Sequence, residues 1–336
     1  MRTIDLENHF VTDVWSDALV ANKGKGYPTV DKERGLGFSP ETWMPLGKEG
    51  ELRDMGEGRI KLMDAAGVDY AVLSLTSPGA ESFEASVGRK VAQESNDVLA
   101  AAIDKHPDRF GGFASLAPKD VDWSIKELER CVKELGFVAW NTHSNYGDAY
   151  IDERRFWPLL AKVEELDIPV YLHPAVPMIQ GLREFGMVLG GPTFGFGTDV
   201  MYTFLRMIVR GVFDTFPKLK IIMGHYGEAL PFLVDRVDRA YMQNHWKPNA
   251  EIGSGSKEWA SYYLKRNLWV TTSGNYLPAA FFCTRDGIGM DKILLGTDFP
   301  YEDMSDCMGF LKGLTLTDDE KMKLYEENAT AMGFAG

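Results

Sequence analysis

Glu7 and His9 stand two apart, separated by Asn8, at the end of the apolar run TIDLENHF (3–10). On an extended chain residues i and i+2 leave the same face, so a carboxylate and an imidazole emerge together. Buried side by side, they are costly unless paired or bound to a metal. A lone E-x-H is more often an inert surface pair, so its meaning depends on what the rest of the chain supplies. His173 ends IPVYLH (168–173), His225 ends LKIIMGH (219–225) and Asp298 ends KILLGTD (292–298). His9, His173 and His225 are half of the chain's six histidines. Glu7, His9, His173 and Asp298 make an N/O ligand set without cysteine, which suits one divalent ion of intermediate hardness, Zn²⁺ or Mn²⁺. Such an ion would keep open positions for substrate.

Distant segments can bring these residues together only on a scaffold that gathers strand ends. The β-rich runs are 3–9, 69–75, 110–116, 136–142, 168–173, 219–225, 267–273 and 292–298. Several are apolar on both faces, as parallel strands covered by helices are. Helical patterns lie between them at 58–67, 88–110, 122–136, 154–167, 198–217, 228–243 and 278–287, and an eighth at 317–333 opens on Thr317 and Asp318, a helix-capping signal. This alternation predicts an α/β fold, a (β/α)₈ TIM-like barrel forming a single domain over 1–336. Two connections are too long for simple loops. One runs from Phe10 to Gly58 and the other over 174–200, so long insertions are expected after strands 1 and 5. Both would rise at the C-terminal mouth, where barrels of this kind carry their sites.

Composition narrows the partners. A formal charge of −13 opposes nucleic acid or an anionic membrane as partner. No apolar run is long enough to cross a bilayer. Cys131, Cys283 and Cys307 are far apart and form no C-x-x-C pair, as expected of reduced thiols in a cytoplasmic protein. The opening MRTIDLENHF lacks the apolar stretch of a signal peptide.

Taken together, DLENHF, RIKLMDAAGVDYAVLSL (59–75), HPDRFGGFASL (106–116), DIPVYLHP (167–174), FPKLKIIMGHYGEALPF (216–232), TTSGN (271–275) and LLGTDFPYE (294–302) resemble the amidohydrolase superfamily. Within it the chain is similar to the metal-dependent, non-oxidative aromatic acid decarboxylases, such as those acting on γ-resorcylate, 2,3-dihydroxybenzoate and 5-carboxyvanillate. The E-x-H opening is the specific part, since hydrolytic relatives open with H-x-H. VAWNTHSN (138–145) resembles the 5-carboxyvanillate type.

The resemblance implies a carboxy-lyase acting on a small aromatic carboxylic acid with an ortho hydroxyl, assembled as a homodimer or homotetramer. Asp298 would be both ligand and proton donor to the ring carbon. His225 would assist it, oriented by Glu228. Arg59 and Arg236 match positions associated with the substrate carboxylate or a subunit boundary, and an arginine fork suits a carboxylate. His143, Phe196, Phe299 and Tyr301 are the remaining candidates for substrate contact, with Phe194 beside them. The alternative is a metal-dependent hydrolase of the same superfamily, cleaving a C–C bond or a lactone, with Asp298 and His225 as its base. Glu7 in place of a first histidine, and TDFPYE after strand 8, weigh against it.

Overall fold

The computed structural model describes residues 1–45, 47–243 and 256–334. Its centre is a sheet of eight strands in chain order, with all neighbouring pairs parallel. They are β1 (Ile4–Phe10), β2 (Tyr70–Leu75), β3 (Phe110–Ala114), β4 (Ala139–His143), β5 (Pro169–His173), β6 (Lys220–Met223), β7 (Leu268–Thr271) and β8 (Ile293–Leu294). The first and last strands meet. Leu6 N donates to Leu295 O at 2.9 Å, His9 N donates to Phe299 O at 2.7 Å, and Asn8 bridges Phe299 in parallel. These bonds close the sheet into the expected (β/α)₈ barrel.

The apolar alternation of the strands feeds two cores. Ile4, Leu6, Val72, Phe113, Tyr171, Ile222 and Leu294 fill the barrel interior, and Ala329, Met332 and Phe334 from the C-terminal end cap its floor. A larger core lies between strands and helices. Fully burying an aliphatic or aromatic side chain is worth ~1.5–3 kcal/mol, so these layers hold the strand ends in place.

β1 departs from strict alternation. Its register against β2 slips between Asp5 and Asn8, a bulge in the strand. Without it Glu7 and His9 would face away from Ile4 and Leu6. With it, all four side chains turn inward, while Asn8 Nδ2 donates to Asp5 Oδ2 at 2.6 Å. Bulges commonly re-aim side chains in this way beside active sites.

Several boundaries differ from the sequence expectation. β6 stops at Met223 and β8 at Leu294, so His225 and Asp298 lie beyond their strands. The reason is local: His225 N bonds Ser273 Oγ after β6, and Gly296 N bonds Thr272 Oγ1 and Thr297 N bonds Asp5 Oδ1 after β8, so side chains replace the backbone ladder. Helices Asp13–Ala21, Ala260–Asn267 and Met304–Lys312 were not expected. The first carried a readable signal, because Thr12 caps it by accepting from Trp15 N. The insertion after β1 also contains a three-stranded antiparallel sheet (29–31, 35–37, 43–44). The insertion after β5 holds short helices Gln180–Arg183 and Met187–Gly190.

Candidate active site

Glu7, His9, His173 and Asp298 converge at the mouth of the barrel, each offering one ligand atom, all within 4.8 Å of one another. Ligands opposite one another on an ion at 2.0–2.2 Å would be ~4.2 Å apart, so the cluster has the dimensions of a metal site. Each ligand is also held from behind. Glu7 Oε2 accepts from Thr271 Oγ1 at 2.7 Å and from Ser273 Oγ, whereas its Oε1 is buried with no hydrogen-bond partner among the described residues. A buried carboxylate oxygen left bare in this way fits a cation. His9 Nδ1 meets Ser74 Oγ at 3.0 Å, and His173 Nδ1 donates to Pro174 O at 3.0 Å. Both rings are therefore fixed through Nδ1 and turn Nε2 toward the centre. Burial, reinforced by His9 and His143, holds His173 well below the usual imidazole range, which favours the neutral ring a metal requires.

His225 and Glu228 form the second part. His225 Nδ1 donates to Glu228 Oε1 at 2.8 Å, and its Nε2 lies 3.9 Å from Asp298 Oδ2 and 4.0 Å from Glu7 Oε1. Burial disfavours the charged ring, but Glu228, Asp298 and Glu7 outweigh it and push His225 well above its ordinary range. For Asp298, burial raises the carboxyl, yet the hydrogen bonds and charges of His225 and His9 outweigh it and hold Asp298 low.

The backbone here is unusual. His225 (φ 52°), Tyr226 (φ 59°), Glu228 (φ 57°) and Asp298 (φ 59°) all occupy the left-handed region. Non-glycine residues are uncommon there and each costs ~1–3 kcal/mol, a cost concentrated at functional sites. Gly274 makes room for this turn, because a Cβ on it would run into the His225 ring.

Above the ligands is a cavity of about 610 Å³, enough for a small ring. His173, His225, Glu228 and Asp298 form its reactive wall, Phe38 and Met44 reach it from the first insertion, and Phe194 and Phe196 reach it from the second. Tyr301 also lines it, with its hydroxyl 2.6 Å from Thr76 Oγ1.

Other expected substrate contacts lie elsewhere. Arg59 is buried behind β1. Its guanidinium donates to the carbonyls of His9 (2.7 Å), Glu51 (2.9 Å) and Asp54 (2.8 Å) and sits 5.1 Å from the Phe299 ring centroid. Arg59 and Phe299 are thus outside the cavity lining and tie the first insertion to the strand carrying His9. Arg236 is exposed on the helix Leu230–Gln243, also outside the lining. His143 is buried beside His173, its Nδ1 2.7 Å from Glu81 Oε1. Sequence reasoning missed Glu81, Ser74, Thr271, Ser273 and Glu302. Of these, Glu302 had a cue, lying four residues after Asp298 in TDFPYE, and Thr271 and Ser273 lie in TTSGN.

The amidohydrolase family model matches residues 4–332. A γ-resorcylate decarboxylase of Polaromonas sp. is 34% identical, with 97% of this chain and 96% of that protein aligned. Among solved structures, the 5-carboxyvanillate decarboxylase of Novosphingobium aromaticivorans, complexed with manganese and 4-hydroxy-3-methoxy-5-nitrobenzoic acid, superposes with a TM-score of 0.89 at 32% identity, covering 98% of this chain and 95% of that one. A 2,6-dihydroxybenzoate decarboxylase bound to 2,6-dihydroxybenzoate gives 0.84 at 31%, covering 99% of each chain. With the barrel, the ligand cluster and these matches along nearly its whole length, the chain belongs to the amidohydrolase family, in its branch of metal-dependent, non-oxidative aromatic acid decarboxylases.

Proposed function

We propose that this protein removes carbon dioxide from an aromatic carboxylic acid bearing an ortho hydroxyl, with Asp298 protonating the ring carbon that loses the carboxylate. The observation that carries the reading is the juxtaposition of a four-residue ligand cluster with the His225–Glu228 pair on one cavity wall. Glu7, His9, His173 and Asp298 would hold one divalent ion per subunit, Mn²⁺ or Zn²⁺. When bound, it supplies Lewis-acid charge and a template for the carboxylate and its ortho oxygen.

Direct loss of carbon dioxide from an aromatic ring leaves an aryl carbanion, so the ring carbon is protonated first. The carbon–hydrogen bond forms from the Asp298 carboxyl and the ring loses aromaticity. The carbon–carbon bond then breaks, its electron pair returns to the ring, and carbon dioxide leaves. His225, oriented through Nδ1 by Glu228, returns a proton from solvent to Asp298. Phe196 and Tyr301 would flank the ring; holding it still is itself worth several kcal/mol of barrier. His143, braced by Glu81, would support the wall beside His173.

The proposal extends to a homodimer or homotetramer in the cytoplasm, with Arg236 at a subunit boundary. Ile179, Phe185, Val188, Leu189 and Phe194 are exposed apolar residues on the second insertion, and exposed apolar patches commonly mark interaction surfaces. Among the described residues, no helix is long and apolar enough to cross a membrane.

The test is turnover of a panel of hydroxybenzoates by the Mn²⁺-loaded enzyme in D₂O. One solvent deuterium at the vacated ring carbon, with release of carbon dioxide, is expected. Solvent oxygen in the product without ring deuteration would establish the hydrolase instead.

A further inference from the structure

None of the four candidate ligands lies on β7, yet the residues at its end hold three other parts of the site. Thr271 Oγ1 donates to Glu7 Oε2 at 2.7 Å. Thr272 Oγ1 donates to Gly296 O at 3.1 Å and accepts from Gly296 N at 3.2 Å, which fixes the segment leading to Asp298. Ser273 Oγ donates to Glu7 Oε2 and accepts from His225 N at 3.3 Å. Gly274 packs against the His225 ring, where a Cβ would not fit. Thr271, Thr272 and Ser273 are fully buried, so these bonds act in a low dielectric, where each is strengthened.

Counting protons separates the two hydroxyls on Glu7. A carboxylate only accepts, so Thr271 and Ser273 each commit their single O–H to Oε2. Thr271 Oγ1 is then left to accept from Tyr171 OH at 3.1 Å. Ser273 Oγ, committed in the same way, accepts from the backbone of His225. Both hydroxyls hold Oε2 and leave Oε1 free, but Ser273 also reaches the turn that carries His225. That turn is left-handed at His225, Tyr226 and Glu228, and such backbone persists only when its surroundings hold it. A carboxylate is a rigid plane. Fixing Oε1 therefore fixes Oε2, and with it the Ser273 hydroxyl to which His225 N–H donates.

We infer that Ser273 is a positioning residue whose hydroxyl, shared between Glu7 and the backbone of His225, couples the seating of the divalent ion at Glu7 to the placement of the His225 ring. Thr271 holds the same carboxylate oxygen without reaching His225, and is the internal comparison. The coupling belongs to the folded chain and its ion; its consequence for turnover rests on the decarboxylase reading.

The experiment compares the native protein with Ser273→Ala and Thr271→Val, both close to the native side chains in volume. Calorimetric titration with Mn²⁺ should show each variant binding ~10-fold or more weakly, as expected for groups that back a ligand. Hydrogen exchange read by mass spectrometry then follows the peptide containing His225, with and without saturating Mn²⁺. Mn²⁺ is expected to slow that exchange ~10-fold or more in the native protein and in Thr271→Val, and by less than ~3-fold in Ser273→Ala. With the best acid of the hydroxybenzoate panel, Mn²⁺-saturated Ser273→Ala should lose ~10–100-fold in kcat with KM nearly unchanged. Adding Glu228→Gln should cost less than the two separate losses combined, because both act through His225. Protection of the His225 peptide in Ser273→Ala equal to that of the native protein would overturn the inference, as would its loss to the same extent in Thr271→Val. The native arm stands whether or not Ser273→Ala folds: no slowing by Mn²⁺ there overturns the inference by itself. If the exchange pattern holds but no acid loses carbon dioxide, the decarboxylase reading fails and the coupling stands. If carbon dioxide is released without that pattern, the coupling fails alone.

Discussion

At the scale of the residue, each group at the site is specified by what stands behind it. Glu7 is committed through Oε2 to Thr271 and Ser273, leaving Oε1 bare. His225 is committed through Nδ1 to Glu228, leaving Nε2 toward Asp298. This division of labour predicts unequal losses. Asp298→Asn removes ligand and proton donor together and is expected to lower kcat by ~10⁴-fold or more, with loss of bound metal. Glu228→Gln loosens only the orientation and tautomer of His225, and should cost ~10–100-fold with metal content preserved. Steady-state rates with metal content quantified for each variant check both statements. Asp298→Asn that keeps its metal and decarboxylates near the native rate would move the donor to His225.

At the scale of the element, the join between β1 and β8 carries the site. Asp5 Oδ1 accepts from Glu7 N (3.1 Å) and Thr297 N (3.0 Å), and Oδ2 accepts from Asn8 Nδ2 (2.6 Å) and Thr297 Oγ1 (2.5 Å). One side chain thus secures both the bulge that turns Glu7 inward and the segment leading to Asp298. Burial raises its carboxyl from 3.8 to about 6, against the opposing pull of those hydrogen bonds. Because the folded state binds this proton more tightly than the unfolded one, the contribution is full below pH ~4 and is lost as pH rises through ~6. A shift of about two units corresponds to ~3 kcal/mol. In metal-free protein, the stability of the native chain relative to Asp5→Asn should therefore decline between pH ~4.5 and ~7. Urea unfolding of both proteins across that range measures it, and a flat difference would reject the assignment.

For the whole molecule, the candidate ligands come from β1, from the end of β5 and from the segment after β8, with His225 in the turn after β6. A bound ion therefore cross-links distant parts of the barrel, and it binds the folded chain alone. Chelation is expected to lower the melting temperature and abolish turnover. Mn²⁺ at ~100-fold its dissociation constant should return ~2.7 kcal/mol of stability. Calorimetry with and without chelator reads this, and an unchanged melting temperature would argue against the ligand set. Sedimentation should show a dimer or tetramer, and a Phe185→Glu, Val188→Glu double variant should weaken assembly if the second insertion forms the contact.

The sequence by itself determined the barrel, because eight apolar runs alternating with amphipathic helices can bury both faces of a parallel sheet in few other ways. It also offered the candidate ligand set, since Glu7, His9, His173 and Asp298 lie at or just past strand ends, a position readable from local pattern. The tertiary structure decided the rest. The inward turn of Glu7 depends on a bulge that β1 acquires only against β2 and the Asp5–Thr297 tie. The left-handed turn at His225 and Glu228 depends on space left by Gly274, about fifty residues away in the chain. Arg59 has the chemistry of a carboxylate anchor, yet three backbone carbonyls claim it. Residue type and period are local and survive in a one-dimensional string. Which atom is left unpaired is settled by neighbours that the fold alone brings within hydrogen-bonding distance.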